Sequence, residues 1–550
     1  MYIKHIDISG FRGIHRLALS LKSNSVLIGE NAWGKTSLLD ALSLLAPSER
    51  LYQFSREDFH FPPGDKDARH KHIQIIFTYN LTQLDLDDTD VIELLQSVII
   101  SDEEAEDSNI YLSLQAELNI PTGQDVTTKR VFLDANGEEI VNIDVDTLMR
   151  QLIEKHPVLR LKDARFINKL SPSSFADKMS KTSGLDKTMT SLVERLASEP
   201  QSLSNHELKE GLRAMQQLLE HYLSGSGRFP KVLVSSASQD KQAWQSLDAI
   251  NTIISRSSSR TVRMLLLSLM ITLVESKNNI RLKENASPIL LIEEPEQGLH
   301  PVNLAIAWGF FNQLPLQRLT VTNSGDLLTY TPIHYIHRLI RESTKVKAFK
   351  IKSSSFHADE LRRIGFHIRM NRATSLFARA WLLVEGETEV WLLTELARIC
   401  GYNLEAEGIK IIEYAQCGLK PLIKFAEQLG IGWHVLTDGD EAGKRYAQTV
   451  KSLIDDHDEN RRLTTLPALD IEHFMFRAGF MHVFKKIAAL PDSPKLPMRK
   501  IIDKAIHRTS KPDLAIEIAA DAEQRGVEAI PIIIRRIYAR IINEARGKAE

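Results

Sequence analysis

Short apolar runs bounded by polar turns divide the chain into predicted strands and helices. Residues 3–11 alternate between apolar and polar positions, which is typical of a half-buried strand. Similar short runs recur along the first quarter of the chain, and those at residues 73–79, 111–118 and 130–133 favour an antiparallel layer. The other strands predicted in this part of the chain cover residues 17–21, 25–28, 73–79, 111–118 and 130–133.

Three later runs are mainly apolar and end in acidic residues. They lead directly into Glu293, Glu385 and Asp438. A continuous apolar run indicates a strand buried on both faces, and open α/β sheets bind their ligands at the carboxyl ends of such strands. We therefore predict an α/β protein with acidic groups at the functional edge of its sheets.

Residues 177–223 follow a helical pattern with few strand signals. Ser204 and Glu207 have the spacing of a capping box, in which each side chain bonds the other residue's backbone N–H. The apolar stripe that follows predicts a helical insert within residues 170–230. Such an insert could pack on its own domain or on a second subunit as a dimerisation element, and the sequence favours neither.

The composition is that of an ordinary globular protein. The 550 residues are 43% hydrophobic and 25% charged, and this length predicts two or more domains. The 69 Lys and Arg residues nearly balance the 71 Asp and Glu residues, so any DNA must be bound by local basic patches or through metal.

The chain carries no signs of secretion or of a membrane. Two cysteines, Cys400 and Cys417, are too few for a disulfide framework or a cysteine-rich zinc site. The N-terminus lacks a secretory signal, and the most apolar run, residues 264–274, is too short to span a bilayer. A cytoplasmic protein without membrane contact is expected.

The strongest motif of the first half lies at residues 29–36. It has the pattern Gly-x-x-x-x-Gly-Lys-Thr between a predicted strand and a predicted helix, the context that a phosphate-binding loop requires. Backbone N–H groups would surround phosphates at the helix N-terminus, Lys35 would reach the β- and γ-phosphates of ATP, and the Thr36 hydroxyl would bind Mg²⁺. The predicted nucleotide contacts from this loop are Gly29, Asn31, Gly34, Lys35, Thr36 and Ser37.

Glu293 and Glu294 supply the expected partner of that loop. A buried strand ending in two acids is a weak signal alone, but it is the second element that a phosphate loop needs. Glu293 is predicted to hold Mg²⁺, and Glu294 to polarise the attacking water.

Glu385 forms a second acidic group together with the pair Asp438 and Asp440. The members of the pair are two residues apart, so on a strand both side chains would point to one face and could bind one cation. Carboxylate oxygens suit Mg²⁺ or Mn²⁺. We interpret the group as a metal site for phosphodiester chemistry.

The first half resembles the ATP-binding heads of the SMC, RecF and ABC superfamily. The resemblance rests on the phosphate loop, Gly10-Phe11-Arg12-Gly13, the Glu293-Glu294-Pro295 box and a serine-rich turn at residues 255–261, which resembles a degenerate signature motif. It implies that two heads bind ATP between them, so a homodimer or higher homo-oligomer is expected. Such heads usually place a histidine where this chain has Asn323, which implies slow hydrolysis or a substitute such as His300.

The second half resembles a Toprim domain, the metal-binding fold of topoisomerases, primases and several nucleases. Glu385-Gly386 and Asp438-Gly439-Asp440 carry this resemblance. An ATPase head followed by Toprim is the architecture of the OLD (overcoming lysogenization defect) nucleases, and the chain resembles their YbjD-type branch. The resemblance implies an ATPase domain at residues 1–375, a Toprim nuclease domain at 376–520 and a helical C-terminal segment at 521–550.

The same resemblance implies a larger set of catalytic residues. Two metal ions would assist an in-line displacement at phosphorus, with Asp438 and Asp440 on one of them. Glu385 would also act as general base, and Lys511 would neutralise charge that develops on the phosphate. The predicted ligands of the second ion are Glu385, Glu389 and Glu472, with Asp470 as a further candidate.

The leading hypothesis is an ATP-binding and hydrolysing, divalent-metal-dependent DNA endonuclease or nickase. The alternative is an ATP-driven DNA-binding or repair scaffold whose Toprim site does not cut. A topoisomerase would need a tyrosine in a recognisable motif, and neither Tyr402 nor Tyr414 has one. The biological role (phage defence, repair or plasmid restriction), the form of the DNA and the effect of ATP on cleavage stay open.

Overall fold

In the computed structural model the chain divides into two compact units. One comprises Met1–Leu339 with Thr344–Ala348, and the other comprises Ile340–Ser343 with Phe349–Glu550. The boundary between residues 375 and 376 stays a prediction. The structure describes residues 1–547 except 49, 62–70, 87–88, 103–106, 120–124, 162–191, 193–194, 197–198, 225–259, 276–285, 298, 315, 343–344, 455–458 and 492–495.

The strands before residue 351 form one antiparallel-paired sheet and one sheet with a parallel centre. In the first of these sheets, alternate residues such as Ile73, Ile75 and Phe77 point into the core. The strands are β1 (Tyr2–Phe11), β2 (Ile14–Ser20), β3 (Asn24–Ile28), β4 (Lys71–Leu81), β5 (Ile100–Asp102), β6 (Asp107–Asn119), β7 (Asp125–Leu133), β8 (Val158–Leu161), β9 (Ile289–Glu293), β10 (Gln317–Val321), β11 (Ile336–Glu342) and β12 (Lys345–Lys350).

The order of the strands explains where the phosphate-loop motif lies. The antiparallel sheet has the order β2-β1-β4-β6-β5, with β7 paired to β6, and the other sheet has the order β12-β11-β3-β10-β9-β8. In the second sheet, the five strands β11, β3, β10, β9 and β8 are parallel to one another. The loops that follow β3, β9 and β10 therefore all leave the same edge.

One hydrophobic core joins the two sheets of the first unit. It includes Ile6 and Phe77 from the antiparallel sheet, Leu38 and Leu42 from the first helix, and Leu291 from β9. The described helices of this unit are α1 (Lys35–Ser43), α2 (Gln83–Leu86), α3 (Thr89–Leu95), α4 (Val145–Lys155), α5 (Asn205–Ser224), α6 (Arg260–Glu275), α7 (Pro301–Gln313) and α8 (Gly325–Thr329).

The helical insert is described only in part. Its capping box is confirmed, because the Ser204 backbone N–H donates to Glu207 at 2.7 Å and the Glu207 N–H donates to Ser204 Oγ at 3.2 Å. Residues 162–191 and 225–259 lie outside the described residues, and a role of the insert in dimerisation stays a prediction.

The second strand differs from the sequence-based prediction at both of its ends. The second strand begins at Ile14 rather than at residue 17 and ends at Ser20, because Phe11 pairs with Ile14 across a tight turn at Arg12, whose φ is 45°.

The apolar run at residues 264–274 lies in α6. None of the described helices is long and apolar enough to cross a membrane.

The second unit is built on a four-stranded parallel sheet, covered by helices. Its core includes Leu382, Leu436 and Ile537, and the Tyr538 hydroxyl donates to the carbonyl of Leu393 at 2.6 Å. The strands β13 (Ala380–Val384), β14 (Ile409–Glu413), β15 (Gly432–Thr437) and β16 (Leu463–Thr465) have the order β14-β13-β15-β16. The helices are α9 (Ala358–Ile364), α10 (Glu387–Ile399), α11 (Leu419–Gln428), α12 (Glu441–Lys451), α13 (Glu459–Arg462), α14 (Ile471–Met475), α15 (Met481–Ile487), α16 (Met498–Arg508), α17 (Lys511–Arg525) and α18 (Ile532–Arg546).

Candidate functional site

The loop between β3 and α1 has the backbone conformation of a phosphate-binding loop. Gly29, Ala32 and Gly34 have φ angles of 157°, 68° and 92°, the positive range found in anion-binding turns. A Cβ at Gly29 would lie 2.9 Å from the Leu339 carbonyl oxygen, so this position requires glycine. No side chain caps the N-terminus of α1, which leaves its first N–H groups for a phosphate.

Lys35 lies inside this loop and is bound to Asn323. Its Nζ donates to the carbonyl oxygen of Gly29 and, at 2.6 Å, to Asn323 Oδ1. Burial lowers the pKa of Lys35, against the attraction of Glu294 and Glu296. A buried cation of this kind is stabilised by an anionic ligand.

Glu294 is hydrogen-bonded to the same side chain, Asn323. The Asn323 amide nitrogen donates to Glu294 Oε1 at 2.6 Å. Glu294 has a φ of 44°, which is uncommon for a residue other than glycine and is concentrated at functional sites. The three residues predicted to surround the γ-phosphate are thus connected in one chain of hydrogen bonds.

Glu293 ends β9 and is paired with an arginine. Arg160 of β8 donates from Nε and Nη2 to Glu293 Oε2, at 3.1 and 2.7 Å. The same guanidinium donates to Asp40 of α1 at 2.5 Å, and Asp40 is also bound by Arg12. The predicted Mg²⁺ ligand therefore has a cationic partner from its own chain.

Six acids and one lysine meet at the carboxyl edge of the sheet in the second unit. Glu385 follows β13 directly, Asp438 follows β15 directly, and these two strands are neighbours. Glu389 lies in the first turn of α10 and Glu472 in the first turn of α14. Lys511 begins α17, and its Nζ lies 3.0 Å from Glu472 Oε1.

The other two acids, Asp440 and Asp470, cap helices. Asp440 Oδ1 accepts the Gly443 N–H at 2.7 Å, and Asp470 Oδ1 accepts the His473 N–H at 2.7 Å. The prediction that Asp438 and Asp440 share a face of one strand is wrong, because β15 ends at Thr437 and Asp440 is the N-cap of α12. The turn after β15 nonetheless keeps both carboxylates near the carboxyl end of β13.

The carboxylates strongly perturb one another. Burial, followed by repulsion from Glu389 and Glu385, raises the pKa of Asp438 to about 8. Burial also raises the pKa of Glu389 to about 7, with repulsion from Glu472 and Glu385 adding to it. The pKa of Glu385 is raised by burial and then by repulsion from Asp440.

Among the described residues, a single lysine faces this group of acids. Burial works to lower the pKa of Lys511, but the attraction of Glu472 raises it overall. One positive charge cannot balance six carboxylates when all of them are ionised, so full ionisation of the cluster requires further positive charge.

This donor set fits divalent metal. Glu385 Oε2 is buried and has no hydrogen-bond partner, an arrangement that costs free energy unless a cation meets it. Within the part of the chain that the structure describes, no three Asp, Glu, His or Cys side chains lie close enough together to hold one ion.

Two family models together match residues 1–440. One, described as a protein of unknown function (DUF2813), matches residues 1–375, and the other, described as the TOPRIM domain of overcoming lysogenization defect protein-like sequences, matches residues 376–440. The protein YbjD of Escherichia coli strain K12 is 46% identical over the whole length of both chains. The chain belongs to the OLD family.

More distant relatives of this OLD-family protein include a named endonuclease. Endonuclease GajA of Bacillus cereus strain VD045 is 23% identical over 82% of this chain and 78% of its own. The solved C-terminal region of the Burkholderia pseudomallei OLD protein is 23% identical, with a TM-score of 0.27 over 31% of this chain and 99% of that structure. That TM-score is too low to define the fold. The strand orders and the family models define it instead: an ABC-type head with an antiparallel layer, then a Toprim domain with a helical C-terminus.

Two glycines at the OLD-family Toprim edge have roles that only the structure reveals. A Cβ at Gly439 would lie 2.3 Å from the Ala468 carbonyl oxygen, and one at Gly443 would lie 2.0 Å from the Asp438 carbonyl oxygen. Gly439 thus lets the Asp438 turn approach the segment that leads to Asp470, and Gly443 lets α12 approach Asp438. The Asp-Gly-Asp pattern indicates the role of Gly439, whereas no local sequence pattern indicates the role of Gly443.

Other predicted contacts have mixed outcomes. Residues 255–259 of the serine-rich turn lie outside the described residues, and Arg260 begins α6. His300, suggested as a substitute for the missing histidine, is the N-cap of α7 and accepts the Val302 N–H at 3.3 Å. Ser37 Oγ accepts the Gly13 N–H at 3.1 Å, and Asn31 is exposed in the loop before α1.

Proposed function

We propose that this OLD-family protein is an ATP-binding and hydrolysing, divalent-metal-dependent DNA endonuclease that nicks phosphodiester bonds. The observation that supports the proposal most strongly is the group of six acids and Lys511 at the edge of the parallel sheet. Its excess of carboxylates, with the unpartnered Glu385 Oε2, suits Mg²⁺ or Mn²⁺. GajA, a relative over most of this chain, is an endonuclease, which agrees with the assignment.

The acids divide into two groups in this proposal. Two divalent ions, when bound, supply positive charge to the attacking and leaving oxygens of an in-line displacement. Asp438 and Asp440 would hold one ion, and Glu385, Glu389 and Glu472 the other, with Asp470 able to assist. Glu385 would also take the proton of the attacking water, since its raised pKa favours a proton acceptor near neutral pH.

Lys511 would act on the phosphate rather than on the metal. Its ammonium group is held against Glu472 at 3.0 Å and its raised pKa keeps it charged. A fixed positive charge stabilises the negative charge that grows on the phosphate oxygens in the transition state.

The head would bind ATP with the phosphates at the N-terminus of α1. Lys35 would exchange its contacts with Gly29 and Asn323 for the β- and γ-phosphates. Thr36 and Glu293 would hold Mg²⁺, and Glu294 would orient the attacking water. Asn323, which is hydrogen-bonded to Lys35 and Glu294, would donate to the γ-phosphate, which a neutral amide does less strongly than a charged histidine.

Nicking of supercoiled plasmid tests the nuclease directly. Purified wild-type protein is incubated with Mg²⁺, Mn²⁺, Ca²⁺ or chelator, with and without ATP, beside Lys511→Gln and Lys35→Ala. We expect open-circle DNA with Mg²⁺ or Mn²⁺, none with chelator, and a fall in rate of about a hundredfold or more for Lys511→Gln. Lys35→Ala should abolish ATP hydrolysis and so reports whether ATP controls the cut.

A different result favours the scaffold alternative. If wild type hydrolyses ATP and binds DNA but leaves plasmid and single strands intact with every metal, the Toprim site does not cut and the protein is an ATP-driven DNA-binding protein. ATP-dependent dimerisation belongs to the same proposal, and light scattering with ATP should show a mass that doubles for wild type and not for Lys35→Ala.

A further inference from the structure

The helix α16 carries a basic face that the fold does not use. The segment from residue 498 to 511 contains five Lys or Arg residues against one Asp, in a chain whose formal charge is −2. Its apolar face is buried through Ile501, Ile502 and Ala505. The exposed basic side chains on the other face are Arg499, Lys500, Lys504 and Arg508.

Among the described residues, none of these four side chains makes an ion pair or a hydrogen bond. Lys500, Lys504 and Arg508 are spaced at i, i+4 and i+8, so they form one stripe along the helix. Each like-charged pair at this spacing destabilises a helix by about 0.2–0.5 kcal/mol, so folding alone gives no reason for the stripe.

The basic helix at the C-terminus provides a contrast. On α18, Arg546 pairs with Glu407 at 2.7 Å, Arg535 approaches Glu528 at 3.5 Å, and Arg540 donates to Thr464 Oγ1 at 3.0 Å. Those three arginines have partners within the second unit. The stripe on α16 is therefore the stronger candidate for binding a polyanion.

The position of α16 connects its stripe to the acid cluster. The helix packs against α14, which carries Glu472, and against α15 and α17. Arg508 is three residues before Lys511, a distance of at most about 11 Å along the chain. From Lys500 to Arg508 the stripe extends about 12 Å along the helix, which matches about three to four phosphate steps along one strand of duplex DNA.

We propose that the Lys500, Lys504 and Arg508 stripe of α16 binds the phosphate backbone of DNA and leads the strand to Lys511 and the acid cluster. The proposal rests on the nuclease function proposed above and names the surface that holds its substrate. Binding of this kind to phosphates fixes the position of the strand without reading its sequence.

The test is DNA binding by the full-length protein as a function of salt. A labelled duplex is titrated in Ca²⁺ without Mg²⁺ or Mn²⁺, from low to high NaCl, for wild type and for Lys500→Gln/Lys504→Gln/Arg508→Gln. Glutamine keeps helix propensity close to that of lysine, so α16 should remain folded. The matched control, Arg362→Gln/Arg363→Gln/Lys420→Gln, removes the same charge from exposed positions on α9 and α11.

We expect the α16 variant to lower the slope of log affinity against log salt by about 2–3, since each phosphate that is no longer neutralised by a cation reduces the slope by about 0.9. Its KM for cleavage should rise while kcat at saturating DNA stays near wild type. The control should keep the wild-type slope. A wild-type slope in the α16 variant, or an equal reduction in the control, overturns the proposal.

Parallel cleavage assays separate this surface from the catalytic proposal. If wild type cuts DNA and the α16 variant matches it at every salt concentration, the surface is wrong and the nuclease stands. If no protein cuts DNA but the variant has the reduced salt slope, the surface stands and the nuclease proposal fails.

Discussion

Replacing Asp438 with asparagine should stabilise the metal-free second unit at slightly alkaline pH while it removes metal binding. In the folded chain, burial and the neighbouring acids raise the pKa of Asp438 from 3.8 to about 8. Between those values the folded state holds a proton that the unfolded state has released. The free energy of unfolding of the metal-free wild type must therefore fall as the pH rises through this window.

The size of this change in the free energy of unfolding follows from the shift in the pKa of Asp438. Each pH unit inside the window changes the free energy of unfolding by up to about 1.4 kcal/mol. Because Asp438 is only partly buried, we expect about 2 kcal/mol between pH 6 and pH 8. For a unit of about 200 residues this corresponds to a fall in Tm of about 4–8 °C, which asparagine should remove.

Scanning calorimetry of the full-length protein in chelator at pH 6 and pH 8 measures this difference. The transition that saturating Mn²⁺ raises in wild type identifies the second unit. Asp438→Asn should show a smaller fall of Tm with pH and no rise with Mn²⁺, while Glu441→Gln, which removes an exposed acid nearby, should behave as wild type. An Asp438→Asn variant whose Tm falls with pH as steeply as wild type would refute the reasoning.

Three further predictions concern single side chains. Arg160→Gln removes the guanidinium from Glu293, so fluorescent ATP should bind at a several-fold lower Mg²⁺ concentration. The control Arg12→Gln, which removes hydrogen bonds to Asp40 and Asp58 only, should not shift the Mg²⁺ dependence of ATP binding. An unchanged or higher Mg²⁺ requirement for Arg160→Gln would contradict this prediction. Gly439→Ala places a Cβ 2.3 Å from a carbonyl oxygen and should lower the free energy of unfolding, measured by calorimetry, by about 2 kcal/mol or more. The control Gly547→Ala, whose Cβ would lie 3.5 Å from its nearest neighbour, should be near neutral. Equal losses of stability in the two variants would argue against a tight turn at Gly439. Lys35→Ala should abolish ATP binding in equilibrium dialysis, and retained binding would exclude the loop as the nucleotide site.

Local patterns were sufficient to predict the elements that carry both sites. A strand, a glycine-rich loop and a helix are adjacent in sequence from Ser25 to Leu42, so their arrangement depends little on the rest of the fold. Glu385 and Asp438 likewise follow their strands directly, and parallel pairing brings the two strand ends together. Patterns of this length therefore predict both the fold class and the place of the acids.

Interactions between distant residues could not be predicted in this way. Arg160 and Glu293 meet only because β8 and β9 are neighbours in the sheet, and no local signal joins them. Gly443 is required by the approach of α12 to the Asp438 carbonyl, which depends on where β15 ends. Lys511 was suggested by resemblance, and its pairing with Glu472 depends on how α17 packs.

The most direct test of the metal-dependent nuclease is the single-turnover rate of plasmid nicking in saturating Mn²⁺ by wild type, Glu385→Gln and Glu441→Gln. We expect wild type and Glu441→Gln to nick at similar rates and Glu385→Gln to be slower by about a hundredfold or more. Nicking by Glu385→Gln at the wild-type rate would contradict a catalytic role for the acid cluster.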